Sequence, residues 1–179
     1  MLRLLTALVL AGCAALAAAQ PKSDWERQNE ARLAAEEKTV LPPYPKKDNL
    51  VEIYVSAATD FKYFIDASTL TVSPGERVIR YVIVARSPNG AENVRFEAIR
   101  CPFEYRTLAV GQPDGTWGGR AGDWREITRG SSLSWPYALS RYFFCPHRDP
   151  IRSVAEGKEA LAHGVHPAVE VQRSMGGSD

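Results

Sequence analysis

Cys145-Pro146-His147-Arg148-Asp149 places a thiol, an imidazole, a guanidinium and a carboxylate along one short run. A Cys-x-His pair supplies half of a zinc ligand set, and a histidine near an aspartate has the parts of a general base. Neither set is complete. His163 and His166 are the other histidines, and Gly164 and their place near the chain end leave any shared geometry loose. Side chains at Cys145 and His147 would lie along the chain rather than face each other as nucleophile and base. No G-x-S-x-G, glycine-rich phosphate loop, EF-hand or haem motif occurs. Ser131, Ser132 and Ser134 read as caps or turn residues and Asp114 as part of a turn, while Glu97, Asp123 and Glu126 read as surface groups. The sequence therefore assigns no catalytic residue, no metal ligand and no cofactor.

The remaining chemistry-bearing cluster is aromatic and basic. Trp117, Trp124 and Trp135 alternate with Arg120, Arg125 and Arg141, and a glycine-rich loop runs from Trp117 to Gly122. Tryptophans near arginines can stack on sugars or dock a peptide. Tryptophans in a disulfide-pinned domain more often fill the core, and this loop is still the best candidate surface. Trp117, Arg120, Trp124 and Arg125 form the expected binding surface.

Three cysteines divide into one near the start and two in the body, Cys101 and Cys145. The first lies in an export signal: Arg3 precedes an apolar run from Leu4 to Ala18, and Ala17 and Ala19 form an A-x-A site before Gln20. The run is short for a membrane span, which needs about 20 residues. Two processing routes stay open. Cleavage after Ala19 gives a soluble periplasmic or secreted protein. Leu10-Ala11-Gly12-Cys13 also matches a lipobox, and lipidation at Cys13 would give a membrane-anchored lipoprotein. Either route leaves Cys101 and Cys145 as an even pair in an oxidising compartment, which reads as one disulfide.

Formal charge is +1, from 22 basic and 21 acidic residues. That balance gives no electrostatic footprint for nucleic acid or for broad membrane attraction. Membrane contact is expected only with Cys13 lipidation, and any partner is an envelope partner or ligand that the sequence does not identify.

These side chains need a frame. Residues 20–48 read as an extension, with Ser23 and Glu26 spaced as a capping box and Leu41-Pro42-Pro43-Tyr44-Pro45 as a stiff spacer. From Leu50 the apolar period is two, through Val51, Ile53, Val55 and Ala57. A second apolar run follows from Phe61 to Ile65, and Ser73-Pro74-Gly75-Glu76 has the residues of a type II turn. Residues 77–86 are rich in β-branched side chains on both faces, as in a central strand covered twice. Ser87-Pro88-Asn89-Gly90 turns the chain into a return strand over 92–101, a third strand covers 104–111, and Asp123 to Ile127 reads as a short edge strand. Leu133, Tyr137, Leu139, Phe143 and Phe144 are spaced for a helix capped by Ser131 or Ser132. Asp149-Pro150 begins a second helix that His163-Gly164 ends. Residues 165–179 lack a core pattern and read as a flexible tail.

The expected architecture is α+β: an antiparallel sheet of about five or six strands with C-terminal helices packed on one side. The expected division is a signal at 1–19, the extension at 20–48, one globular domain at 49–164 and the tail at 165–179. A Cys101–Cys145 bridge would pin the helix to the sheet.

The run from Ser87 to Cys101, with Val78-Ile79-Arg80-Tyr81, the Asp114-Gly115-x-Trp117 turn, Trp124 and Tyr142-Phe143-Phe144-Cys145, resembles the cryptic neisserial protein-like family over roughly residues 24 to 147. Phe96 and Ala98 stand where that pattern favours Tyr and Gly, both mild departures. The resemblance implies a small exported proteobacterial protein and brings no catalytic residues. The expectation is therefore an exported cell-envelope protein acting as a non-catalytic binding or interaction module. The alternative is a small periplasmic hydrolase or metal-dependent enzyme using His147 with Asp149 or Asp123.

Overall fold

The computed structural model describes residues 23–25, 27, 40–119, 121–128 and 134–175, with side chains to residue 171. The chain divides into two compact units, Met1–Val40 and Leu41–Asp179. In the first, Asp24, Trp25 and Arg27 are helical, and the Arg27 guanidinium pairs with Asp24. Trp25 is exposed. The expected export signal, Cys13 and Glu26 of the expected capping box lie outside the described residues.

The second unit is built on an antiparallel sheet. Its strands are β1 (Leu50–Ile53), β2 (Lys62–Ser73), β3 (Val78–Arg86), β4 (Glu92–Arg100), β5 (Glu104–Gly111), β6 (Trp117–Gly118) and β7 (Arg125–Glu126). They lie in the order β1-β2-β3-β4-β5-β6, with β7 also pairing β5. The β3–β4 hairpin keeps an unbroken register from Val78 opposite Arg100 to Arg86 opposite Glu92. Its turn closes where Gly90, at φ 86°, donates to Ser87 O at 2.9 Å. A left-handed residue there favours glycine, which lacks the Cβ that would clash.

β2 is longer than its apolar run suggested. The register shifts between Asp66 and Thr71, and polar residues cover the irregularity. Asp66 accepts from Ser68 N at 2.9 Å, and the Thr69 hydroxyl accepts from Val82 N at 3.2 Å. This bulge breaks the period of two, and pairing resumes at Thr71 opposite Arg80. The following Pro74–Glu76 forms a 3-10 turn rather than a type II turn, and the left-handed residue is Arg77 instead of Gly75.

Both faces of β3 and β4 are buried. One face carries Ile65, Ile79, Tyr81, Ile83 and Ile99, packed with Leu139, Phe143, Phe144 and Leu161 from the helices. The other carries Val78, Val82, Val84, Phe96 and Leu108, with Tyr44, Leu50, Trp117 and Trp124 packed against them. The Pro42–Tyr44 stretch, expected as a spacer, is part of this layer. Trp117 Nε1 donates to Pro42 O at 2.7 Å, and Tyr44 donates to Gln112 O at 3.2 Å.

The helices follow the strands, as α+β requires. Helix α1 (Trp135–Ala138) carries Pro136 in its first turn, where the missing N–H is harmless, and continues as a π-helical stretch, Leu139–Phe144. Ser131, Ser132 and Leu133 lie outside the described residues. Helix α2 is Val154–His163, so it starts later than Asp149-Pro150. Its cap is Ser153, whose Oγ accepts from Glu156 N at 3.1 Å, while Glu156 accepts in turn from Arg152 N at 2.6 Å. This Ser-x-x-Glu exchange satisfies one free helix donor and the N–H just before the cap, and it outcompetes the Asp-Pro start. Gly164 ends α2 at φ 75°, as expected. The stretch read as a tail instead forms helix α3 (Pro167–Met175), with His166 and Val169 buried beside it.

Candidate functional site

Cys101 ends up beside Cys145 because β4 runs out where the π-helical stretch also ends. The two form a disulfide with Cα atoms 5.7 Å apart. Three non-glycine residues around it have left-handed backbones: Arg77 at φ 59°, His147 at φ 52° and Arg148 at φ 73°. Each such residue costs roughly 1–3 kcal/mol and persists only where neighbours over-determine it. Here Arg77 is the clamp. Its guanidinium donates to Cys101 O at 3.3 Å, to Arg148 O at 2.7 Å and to Asp149 Oδ1 at 3.2 Å. Its own carbonyl accepts from Cys101 N at 2.9 Å. One arginine thus ties both halves of the disulfide corner together.

The strained corner aims Arg148 across the ring of Phe103, with its guanidinium carbon 5.2 Å from the ring centre. Below them opens a cleft of about 500 Å³ lined by Phe103, Glu126, Ile127, Tyr137, Arg141 and Arg148, with Thr128. Ile127 is held against it by its N–H, which donates to Phe103 O at 2.6 Å. Tyr137 comes from α1, and Arg141 is presented by the π-helical stretch, a local geometry frequent at functional sites. The size suits a small organic ligand.

Charge in this cleft is uncompensated. Arg77, Arg80, Arg86, Arg95 and Arg100 each have a carboxylate within 4.0 Å. Among the described residues, Arg141 and Arg148 have none, and Glu126 has no cation.

The residues expected to bind are placed elsewhere. Trp117 pairs with Gly111 at one end of β5, while Arg125 pairs with Tyr105 at the other. At about 3.4 Å per residue, roughly 20 Å separates them. Trp117 is half-buried against Tyr44 and Phe96. Trp124 lies under two guanidinium groups, Arg100 at 3.9 Å and Arg106 at 4.8 Å. The Arg125 guanidinium lies over Tyr105 at 5.0 Å. Arg120 is outside the described residues.

The histidine cluster does not assemble. Cys145 is consumed by the disulfide, and Asp149 faces Arg77. His163 Nδ1 lies 2.9 Å from Glu159 O. His166 Nδ1 accepts from Ala168 N at 3.2 Å, so Nε2 carries the proton that faces Glu156 Oε1 at 3.1 Å. Among the described residues, no group of His, Cys, Asp or Glu is arranged to hold a metal.

Glu97, read as a surface group, is fully buried. It is on a central strand, so neither face meets water. Its carboxylate accepts from Trp135 Nε1 at 2.8 Å, Tyr81 OH at 3.1 Å and Thr107 Oγ1 at 3.3 Å. A register shift between Phe96 and Glu97 brings Thr107 opposite Glu97. Burial pushes the Glu97 carboxyl above its ordinary range, while Trp135, Arg95, Tyr81 and Thr107 pull it back. Burial, with Glu97 beside it, holds the Tyr81 hydroxyl well above the usual phenol range.

The model of the CNP1-like family matches residues 28–162. The chain belongs to the CNP1-like family. No curated protein and no solved structure matches it. The match covers the whole sheet of this CNP1-like fold, the disulfide and every described residue of the cleft. Phe103 belongs to no motif in the sequence and Arg148 stands there only beside His147, although one signal for their meeting exists. Both cysteines are followed by proline and then by a ring, in Cys101-Pro102-Phe103 and Cys145-Pro146-His147. Pairing the cysteines necessarily brings these two tripeptides to one place.

Proposed function

We propose that this CNP1-like protein is an exported cell-envelope protein that acts as a non-catalytic binding module, with the cleft between Phe103, Tyr137, Arg141 and Arg148 as its ligand site. We identify the CNP1-like family with the cryptic neisserial proteins that the hairpin and its Ile-Arg-Cys ending resemble. The observation that carries the reading is Arg148, held over Phe103 on a strained backbone at the mouth of a cleft. Strained backbones cluster at binding and catalytic sites, where they fix the direction of a side chain. The face around Trp117, Trp124, Arg125 and Arg120 ranks second, because the Trp117 indole N–H is already bonded to Pro42.

Two measurements test this. The intact mass of unreduced protein from its own envelope gives the processing route: a start at Gln20 supports a soluble periplasmic module, and an acylated start at Cys13 a tethered one. A fragment screen followed by backbone and side-chain NMR tests the cleft. Shifts gathered on Phe103, Tyr137 and Arg148 support it. Shifts gathered on Trp117 and Trp124 would move the site to the opposite face, and an uncleaved start at Met1 would end the export reading.

A further inference from the structure

The cleft carries two kinds of unmatched charge that do not touch. Arg141 and Arg148 supply guanidinium groups, and Glu126 supplies a carboxylate on the same cleft. No ion pair within 4.0 Å forms between them. Elsewhere on the domain, arginines do pair with neighbouring acids, as Arg86 does with Glu92 at 2.8 Å. Phe103, Ile127 and Tyr137 line the same cleft and give it an aromatic and aliphatic surface. Resting on the reading of this cleft as the ligand site, we infer that it takes a short zwitterionic peptide with both termini free and an apolar or aromatic side chain. The peptide carboxylate meets Arg141 and Arg148, its ammonium meets Glu126, and its side chain lies on Phe103 and Tyr137.

The chemistry fits at each charged group. A guanidinium fork binds a carboxylate through two parallel hydrogen bonds, and such charge-assisted bonds are the strong ones. The cleft's net excess of one positive charge favours the carboxylate end over the ammonium end. A cleft of about 500 Å³ accommodates a small peptide but not a folded partner.

The test uses the mature, oxidised protein and the dipeptide Ala-Phe, with its C-terminal amide and its N-acetyl form as controls, titrated by calorimetry at low salt. Ala-Phe is expected to bind, the amide to bind roughly tenfold or more weaker, and the acetylated form less weakened than the amide. Arg148→Gln and Arg141→Gln should each weaken Ala-Phe while leaving the amide's binding unchanged. Glu126→Gln should weaken Ala-Phe and leave N-acetyl-Ala-Phe unaffected. All three residues are exposed, so unchanged melting temperatures will show that the variants fold. Equal binding of the amide and the free acid overturns the inference, as does no binding of any probe. Failure of the cleft reading looks different. There the fragment shifts fall away from Phe103 and Tyr137 whatever the charge of the probe.

Discussion

Trp135 Nε1 donates to Glu97 Oε2 at 2.8 Å, and this bond joins the first residue of α1 to the centre of the sheet. Arg95 lies over the Trp135 ring at 5.4 Å and approaches the other carboxylate oxygen of Glu97 at 3.9 Å. The carboxylate is thus the meeting point of β3, β4, β5 and α1. Replacing it with leucine strands an indole N–H and two hydroxyls without an acceptor. Glu97→Leu is expected to cost about 3 kcal/mol in urea unfolding. A loss below about 1 kcal/mol would mean that water replaces the carboxylate.

The same group sets a pH dependence. Burial raises the Glu97 carboxyl, so the folded state keeps its proton to higher pH than the unfolded chain. Between the two titrations the native state binds more protons. The stability this group contributes is full below the ordinary carboxyl range and is lost as pH rises through the raised folded value. Glu97→Gln keeps the acceptor for Trp135 and Tyr81 but cannot ionise. Wild-type stability should therefore fall more steeply than that of Glu97→Gln as pH rises from about 4 to about 8. Parallel curves would remove Glu97 from the account.

His147 tests the binding reading against the hydrolytic one. It has φ 52° and is exposed, and its imidazole bonds to no described residue. His147→Gly relieves the left-handed strain and should leave stability unchanged or raise it by up to about 1 kcal/mol. Peptide binding at the cleft should not change. A loss of stability, or of any measured hydrolysis, would restore the imidazole to a working role.

How much of this was legible depends on how local the cause is. β5 falls at Glu104–Gly111 as its own residues require, and β3 at Val78–Arg86 differs from the expected run only by Arg77. Gly90 and Gly164 mark their turns because left-handed backbone is a local demand. The disulfide was legible from the cysteine count together with the expectation of export. The far half of β2 was not, because the bulge after Asp66 breaks the alternation that a strand is read from. Burial of Glu97 was hidden for a different reason. Alternation tells which residues share a face, but not that a tryptophan from a later helix will cover that face. The cleft is further still from the sequence, since Phe103, Glu126, Tyr137 and Arg148 meet only after the chain closes on itself.

The cap of α2 gives a separate check. Ser153→Ala removes the acceptor for Glu156 N and should cost about 1 kcal/mol. Asp149→Ala, on a residue outside the helix, should cost less through its exposed pair with Arg77. The reverse order would place the helix start at Asp149-Pro150 after all.

The disulfide closes a sequence separation of 44 residues. In the chain-entropy model, replacing both cysteines by alanine should cost about 4 kcal/mol. The double variant should also release Arg148 from its left-handed geometry, because Arg77 then clamps an open corner. Loss of the Phe103 and Arg148 shifts in the fragment experiment, beside retained sheet signals, is the expected pattern. A double variant with wild-type stability and an unchanged cleft would show that Arg77 holds the corner alone.

Gly157 lies inside α2, where glycine normally costs about 1 kcal/mol relative to alanine. Helix propensity alone therefore makes Gly157→Ala stabilising. Packing reverses the sign. A Cβ at this position would stand 2.6 Å from Leu70 Cδ2 and 2.7 Å from Ile151 Cδ1, and both side chains are buried. Overpacking of this kind costs about 1–3 kcal/mol, so Gly157→Ala should come out destabilising by about 1 kcal/mol or more. Ile151→Val removes the Cδ1 methyl group and by itself should cost about 1 kcal/mol. Combined, the two changes should cost less than their sum, because the new methyl occupies the space the old one left. Urea unfolding of the four proteins measures this coupling, and a Gly157→Ala variant more stable than wild type would show that α2 does not press on β2 at Leu70.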